Sequence, residues 1–176
     1  MSSVAKALLL VLGLVAVYPL GDVQSKDSSS KKVQKLHKTY RRSYKKAYTK
    51  KDFEILMRCV SSESGSCYSD AYRVAQVILN RSEYMDKSIT EVVYQKKQFS
   101  GIGTRLWNSK DKKHMSKIRA VCRNVIKGRI PKELKLRKNI LYFMNPKTAE
   151  GSWAAKMRKV KPVVVSVNNH HYYEKK

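Results

Sequence analysis

The periodicity of the chain changes once, and that change constrains the fold more than any single motif. From Asp52 to Lys127 apolar residues recur three and four apart. Phe53, Ile55, Leu56, Cys59 and Val60 form one set; Ala71, Val74, Ala75, Ile78 and Leu79 a second; Met115, Ile118, Val121, Cys122 and Val125 a third. Such spacing lays one apolar stripe along a helix. Asp52 reads as the cap of the first helix, which should fail at Ser61-Ser62-Glu63-Ser64-Gly65. The second is predicted to begin near Ser69-Asp70, with Asp70 as a cap, like Asp111 later in the chain. Ser88 and Glu91 have capping-box spacing and open a short helix through Val92, Val93 and Tyr94. Gln98 to Trp107 reads as a loop, and Asp111 to Lys127 as a helix that Gly128 ends and Pro131 prevents from resuming. Beyond this point the helical spacing disappears. Ile140 to Met144 is a short apolar run, Pro162 to Val167 is β-branched, Asn168-Asn169 can turn the chain, and His170 to Tyr173 can return. Helices first and a small sheet last make an α+β domain, predominantly helical.

What precedes this domain is of a different kind. Lys6, the apolar run from Ala7 to Tyr18 and then Pro19 are too short for a membrane span, so residues 1–25 read as a secretory signal or an N-terminal anchor. Either way the remainder is expected outside the cytoplasm, in the periplasm, the wall or beyond. Residues 26–51 are basic, with no acid between Lys31 and Lys51 and a stripe of Val33, Leu36, Tyr40, Tyr44 and Tyr48. An amphipathic helix on an anionic membrane or wall polymer, a linker stretched by like charges, and tyrosines docked on the domain all fit this pattern. The domain is then residues 52–176. Lys and Arg total 38 against 13 acids, a formal charge of +25. A surface of that kind is drawn to polyanions, and export favours an acidic envelope polymer or membrane over a specific nucleic acid. Of the three cysteines, Cys59 and Cys67 either pair or remain thiols like Cys122. No metal-ligand spacing is present in the sequence, and no cofactor is expected.

Several segments, in order, resemble the spore-cortex-lytic, SleB-like cell-wall hydrolases. They are Ser62-Glu63-Ser64-Gly65, Val74 to Arg81, Gln98-Phe99-Ser100, Leu141-Tyr142-Phe143 with Asn145 to Ala149, Ser152-Trp153, and Asn169-His170 with Tyr172-Tyr173. The resemblance spans about residues 53–173 and includes relatives from phage lysis. It implies a lysozyme-like fold and cleavage of peptidoglycan glycan strands between N-acetylmuramic acid and N-acetylglucosamine. It carries the catalytic glutamate onto Glu63. It sets Asn80, Gln98, Phe99, Ser100, Asn145, Trp153, His170 and Tyr173 along the substrate groove or in its supporting shell. The chain departs from the family in the serines around Glu63 and in Asn168, where glycine is usual.

Glu63 would act as a general acid, which requires a site dry enough to raise its pKa above the usual value of about 4.3. Asp52, Asp70 and Asp111 are absorbed as helix caps, and no acid follows Glu63 at an obvious partner position. This favours a one-carboxylate, lytic-transglycosylase route over a muramidase with two carboxylates. On that route Ser100 and Tyr173 would orient the sugar or stabilise positive charge. Two other functions fit the composition: a non-catalytic cationic envelope-binding protein, and a peptidoglycan peptidase or amidase using Cys67 or Cys59 with His170.

Overall fold

The protein is described here by a computed structural model covering residues 48–175, all in one compact unit. The signal or anchor segment and the basic stretch as far as Ala47 lie outside the described residues.

Helix α1 spans Lys50–Ser64 and begins two residues before Asp52. Its N-cap is Thr49; Asp52 is the third helical residue and completes a capping box, bonding back to the Thr49 N–H at 3.2 Å. Thr49 is the better cap because it stands at the actual turn into the helix, and Asp52 Oδ1 is then free to take the Thr90 N–H at 2.9 Å. Tyr48 packs on the core, so the last residues of the basic stretch belong structurally to α1. The helix ends within the expected stretch from Ser61 to Gly65, at its far end. Ser62 Oγ donates to the Cys59 carbonyl at 2.9 Å and Ser64 Oγ to that of Val60 at 2.7 Å. Serines that bond back along the helix need not break it. The break waits for Gly65, whose φ of 55° suits glycine.

Helix α2 spans Tyr68–Met85, and α3, Ile89–Val93, has the expected Ser88–Glu91 capping box. Helix α4, Lys112–Ile126, is capped by Asp111 and buries Ile118, Val121, Cys122 and Val125. Strand β1 is Ile140–Met144, helix α5 Gly151–Arg158, strand β2 Val164–Val165 and strand β3 His171–Glu174. The sheet order is β1-β3-β2, antiparallel throughout. The segment from Pro162 to Val167 thus pairs over two residues only. Val165 on this edge strand and Val167 beyond it face solvent, and the turn follows at once with Asn169 at φ 61°. Sequence periodicity did not reveal α5, whose apolar spacing is weak.

The main core lies among α1, α2, α3 and α4. A second cluster joins α2 to one sheet face through Val77, Ile140 and Tyr172. A third sits on the other face, where Met144 and Tyr173 meet Ala154 of α5. All three cysteines are free thiols, so Cys59 and Cys67 are not paired.

Candidate functional site

The last turn of α1, the loop 94–109 and the β2–β3 turn meet at Glu63. The loop is anchored by two aromatic residues. Phe99 and Trp107 are each more than nine-tenths buried in the main core, and the Leu106 carbonyl accepts from Ser61 Oγ at 3.1 Å. This brings Gly101 against α1, where its N–H donates to Glu63 Oε1 at 2.9 Å. A Cβ on Gly101 would stand 2.4 Å from Ser62 Oγ, 2.6 Å from Ser62 Cβ and 3.1 Å from Glu63 Oε1. Only glycine permits this approach without displacing the α1 backbone or the carboxylate. From the sheet side, Asn168 Nδ2 donates to the Ser64 carbonyl at 3.1 Å, a bond that glycine at this position would lack.

Burial is the largest influence on Glu63 and pushes its pKa up. The N–H of Gly101, the charge of His170 and the N–H of Ser100 act in the opposite direction without cancelling it, so Glu63 titrates above its ordinary value. Asp70, in the first turn of α2, is treated differently. Burial pushes its pKa up too, but the hydrogen bonds from His170 and Tyr172 outweigh burial and hold the carboxyl below its ordinary range. His170 Nδ1 lies 2.6 Å from Asp70 Oδ2, and Tyr172 OH donates to Asp70 Oδ1 at 2.5 Å. Asp70 is therefore not a helix cap: its carboxylate turns away from the helix terminus toward the sheet. Helix α2 starts instead at Cys67, which makes no side-chain capping bond.

The residues singled out from the sequence divide into groups. Glu63, Phe99, Ser100 and His170 come together, with the Phe143 ring tilted against them, 5.1 Å from the His170 ring and 6.2 Å from that of Phe99. Asn145 stands one link away: its Oδ1 accepts from the Lys147 N–H at 3.0 Å and from Asn169 Nδ2 at 3.4 Å. Gln98 is exposed on the loop. Trp153 and Tyr173 lie on the other face of the sheet. Tyr142 alternates with Phe143, and its ring meets Trp153 at 6.1 Å, while Tyr173 is buried beside Met144 and Ala154. A depression of about 320 Å³ opens there between Tyr142, Trp153, Met157 and Val160, with Glu174 and Lys175 also lining it. Asn80 ties α2 to the segment before β1, donating to the carbonyls of Arg137 at 3.0 Å and Ile140 at 3.1 Å. Asp70 and Gly101 were missed. An Asp two residues into a helix looks like a cap, and a glycine in a loop looks like a turn. The close pairing of each is visible only in three dimensions.

The thiols fare poorly as nucleophiles. Burial raises the Cys59 thiol well above its ordinary range, and raises that of Cys122 to about 12. Both remain protonated at neutral pH. Cys67 is half-buried, its Sγ 3.3 Å from Ser69 Oγ, while His170 Nδ1 is committed to Asp70.

Two solved structures share this fold. One is the catalytic domain of the germination-specific lytic transglycosylase SleB from Bacillus anthracis. It is 21% identical with a TM-score of 0.55, covering 73% of this chain and 98% of that one. The other is the catalytic domain of the Bacillus cereus SleB protein, also 21% identical, with a TM-score of 0.54 and 73% and 94% covered. The architecture is accordingly the lysozyme-like fold of these domains, α+β and mainly helical, with a small C-terminal sheet. No curated protein matches the sequence. The family described as Cell Wall Hydrolase matches residues 65–173, beginning two residues after Glu63. That match covers well over half of the sequence, and the chain belongs to the cell wall hydrolase family.

Proposed function

We propose that the protein cleaves the glycan strands of peptidoglycan, with Glu63 as the acid and base of a one-carboxylate reaction. The observation that carries this reading is the state of Glu63: its pKa is raised by burial, yet one oxygen is held in place by the Gly101 N–H. A carboxyl whose pKa is raised keeps its proton to higher pH and can give it to the glycosidic oxygen as the bond breaks. The carboxylate so formed then takes a proton from the C6 hydroxyl of the muramic sugar, whose oxygen closes on C1 as a 1,6-anhydro ring. The His170 ring beside Glu63 and the backbone N–H groups of Ser100 and Gly101 favour that carboxylate once it has formed. Asp70, the other acid at this corner, has both oxygens engaged and is fully buried, which supports a route without a second carboxylate. Phe99, Ser100 and His170 border the sugar nearest Glu63. Asn145 and Gln98 meet the strand further out, and Trp153 and Tyr173 support the sheet from behind.

Mass spectrometry of digested peptidoglycan tests this. Anhydro-muropeptides should accumulate with the wild type. With Glu63→Gln the rate should fall by about 10³-fold, within the range for loss of a general acid. Reducing muramic ends from the wild type would replace the ring-closing step by attack of water. Undiminished products from the variant would remove Glu63 from the chemistry.

The reading also places the protein at the cell envelope, reached by export through residues 1–25. There the basic residues 31–51 would hold it to an anionic polymer or membrane surface. Deleting residues 26–47, which spares Tyr48 and the Thr49 cap, should weaken binding to whole envelopes most at low salt and leave cleavage of soluble glycan intact. Equal binding by both forms would reduce the segment to a spacer.

A further inference from the structure

Helix α4 carries like charges that oppose its stability along its length and at its N-terminus, while Arg123 and Lys127 suit its C-terminal end. Between Asp111 and Glu133 the chain has eight Lys or Arg and no acid. Lys112 and Lys113 occupy the first turn, where the helix dipole favours acids. Lys113 and Lys117, Arg119 and Arg123, and Arg123 and Lys127 are like charges four residues apart, each an unfavourable pair. The first three helices all include acids. Opposite the buried stripe, α4 exposes Lys112, Lys113, Arg123 and Lys127, with only Ser116 and Ala120 between them. Among the described residues no ion pair engages these four cations. Lys117 and Arg119 flank them, lying over the rings of Tyr68 at 4.9 Å and Phe53 at 5.9 Å. The row starts beside Glu63's own turn, because His114 Nε2 meets Ser61 Oγ at 2.8 Å. From there it runs for about 22 Å, at about 1.5 Å per residue.

We infer that the exposed face of α4 is a docking track for a linear phosphodiester polymer of the cell envelope, lying lengthwise along the helix. Cations in single file answer a chain that carries one negative charge per repeat. Ser116 and Ala120 are small enough to let that chain approach closely. Binding would relieve the repulsion stored along the helix. A membrane fits less well, since this face of α4 has no large apolar side chain to enter it. A nucleic acid duplex presents two rows of phosphates, and a single row of cations engages one. The choice of an envelope polymer rests on the proposed function, while the binding itself does not depend on catalysis.

The test is calorimetric titration of the full-length protein with purified glycerol-phosphate polymer at several salt concentrations. It compares wild type with the variant Lys112→Gln, Lys113→Gln, Arg123→Gln, Lys127→Gln. The variant should bind at least tenfold more weakly, with a slope of log affinity against log salt shallower by about 3, near 0.7 per cation removed. A control of equal charge change, Lys147→Gln, Lys156→Gln, Lys159→Gln, Lys161→Gln, should bind nearly as the wild type does. Unchanged binding by the α4 variant, or equal loss in both variants, would overturn the track. So would duplex DNA or phosphatidylglycerol vesicles binding more tightly than the polymer, with the same dependence on these four residues. The α4 variant should melt no lower than wild type, which certifies its fold. It should also cleave polymer-free peptidoglycan at the wild-type rate. Absence of cleavage by the wild type would count against Glu63 chemistry and leave the binding result standing.

Discussion

The last turn of α1 and the first turn of α2 each present a carboxylate to the same corner of the molecule, and burial has opposite outcomes for the two. Glu63 receives the Gly101 N–H and a weaker contribution from Ser100, which do not compensate for lost water, and it titrates high. Asp70 is the less exposed of the two to solvent but meets His170 and Tyr172 at both oxygens, and it titrates low. Depth of burial does not decide between an acid and an anion; the number and direction of donors does. The Tyr172 hydroxyl, pushed far up by burial and by Asp70, stays a donor over the whole accessible pH range. One carboxylate is left able to move a proton and the other is fixed as a negative support for His170.

Neutralising the two acids separately is the strongest way to break this comparison. In activity, Asp70→Asn should retain far more cleavage than Glu63→Gln, because it acts only by loosening His170; equal losses in two folded proteins would make Asp70 a direct participant. In stability the signs should be opposite. Asp70 has a lowered folded pKa, so its contribution is present above its unfolded value and is lost as pH falls through the folded one. Asp70→Asn should destabilise the protein at pH 7 by about 3 kcal/mol, as expected for breaking a buried pair, and the deficit should shrink toward acid pH. Glu63 has a raised folded pKa, so its ionisation opposes folding as pH rises from the unfolded value through the folded one. Glu63→Gln should therefore be more stable than wild type at neutral pH and lose that advantage in acid. Denaturant unfolding of the three proteins from pH 3 to 8 measures both curves.

Gly101→Ala sharpens the comparison by acting on the weaker set of donors. Its methyl group would enter the space held by Ser62 and Glu63 Oε1, and overpacking of this kind is unfavourable by about 1–3 kcal/mol. The loop should retreat and carry the N–H away. Losing a bond that favours the carboxylate should move the pKa of Glu63 further up. The alkaline limb of the pH–rate profile should shift to higher pH as the maximal rate falls. A lower melting temperature with an unmoved limb would show that Gly101 packs but does not tune the acid.

Much of this was legible in the sequence, and the failures share a cause. The capping box of Ser88 and Glu91, the Asp111 cap and the stripe of α4 are local patterns, readable from neighbours three and four apart. Asp70 looked equally local and was not, since its partners stand 100 and 102 residues away. The serines around Glu63 looked like a loop because composition counts hydroxyls but does not say where they bond. Along Val74 to Arg81 the polar members face the segment before and within β1. Gln76 accepts the Leu136 N–H at 2.8 Å, Asn80 reaches the Ile140 carbonyl, and Arg81 donates to that of Leu141 at 3.3 Å. A family pattern preserves such residues for fold and for chemistry alike, so the pattern alone assigned Asn80 no single role. Trp153 and Tyr173 illustrate the same limit: the order of motifs along the chain carries no information about which face of a sheet each one joins.

The smallest expected effect concerns the third element at the corner. Asn168 Nδ2 donates to the carbonyl of Ser64, the residue after Glu63, and so ties the β2–β3 turn to the end of α1. Asn168 is exposed, and replacing it with Ala removes one hydrogen bond, for a loss of about 1 kcal/mol. The bond reaches the backbone of α1, and the carboxylate of Glu63 is held separately by Gly101. Melting temperature should fall slightly while the pH–rate profile keeps its shape. A profile displaced by Asn168→Ala as far as by Gly101→Ala would mean that the position of the turn, with His170 next but one along it, governs the acid as strongly as the loop does. The contrast between Glu63 and Asp70 would then originate in how the sheet docks on α1, with the count of donors at each carboxylate following from that docking.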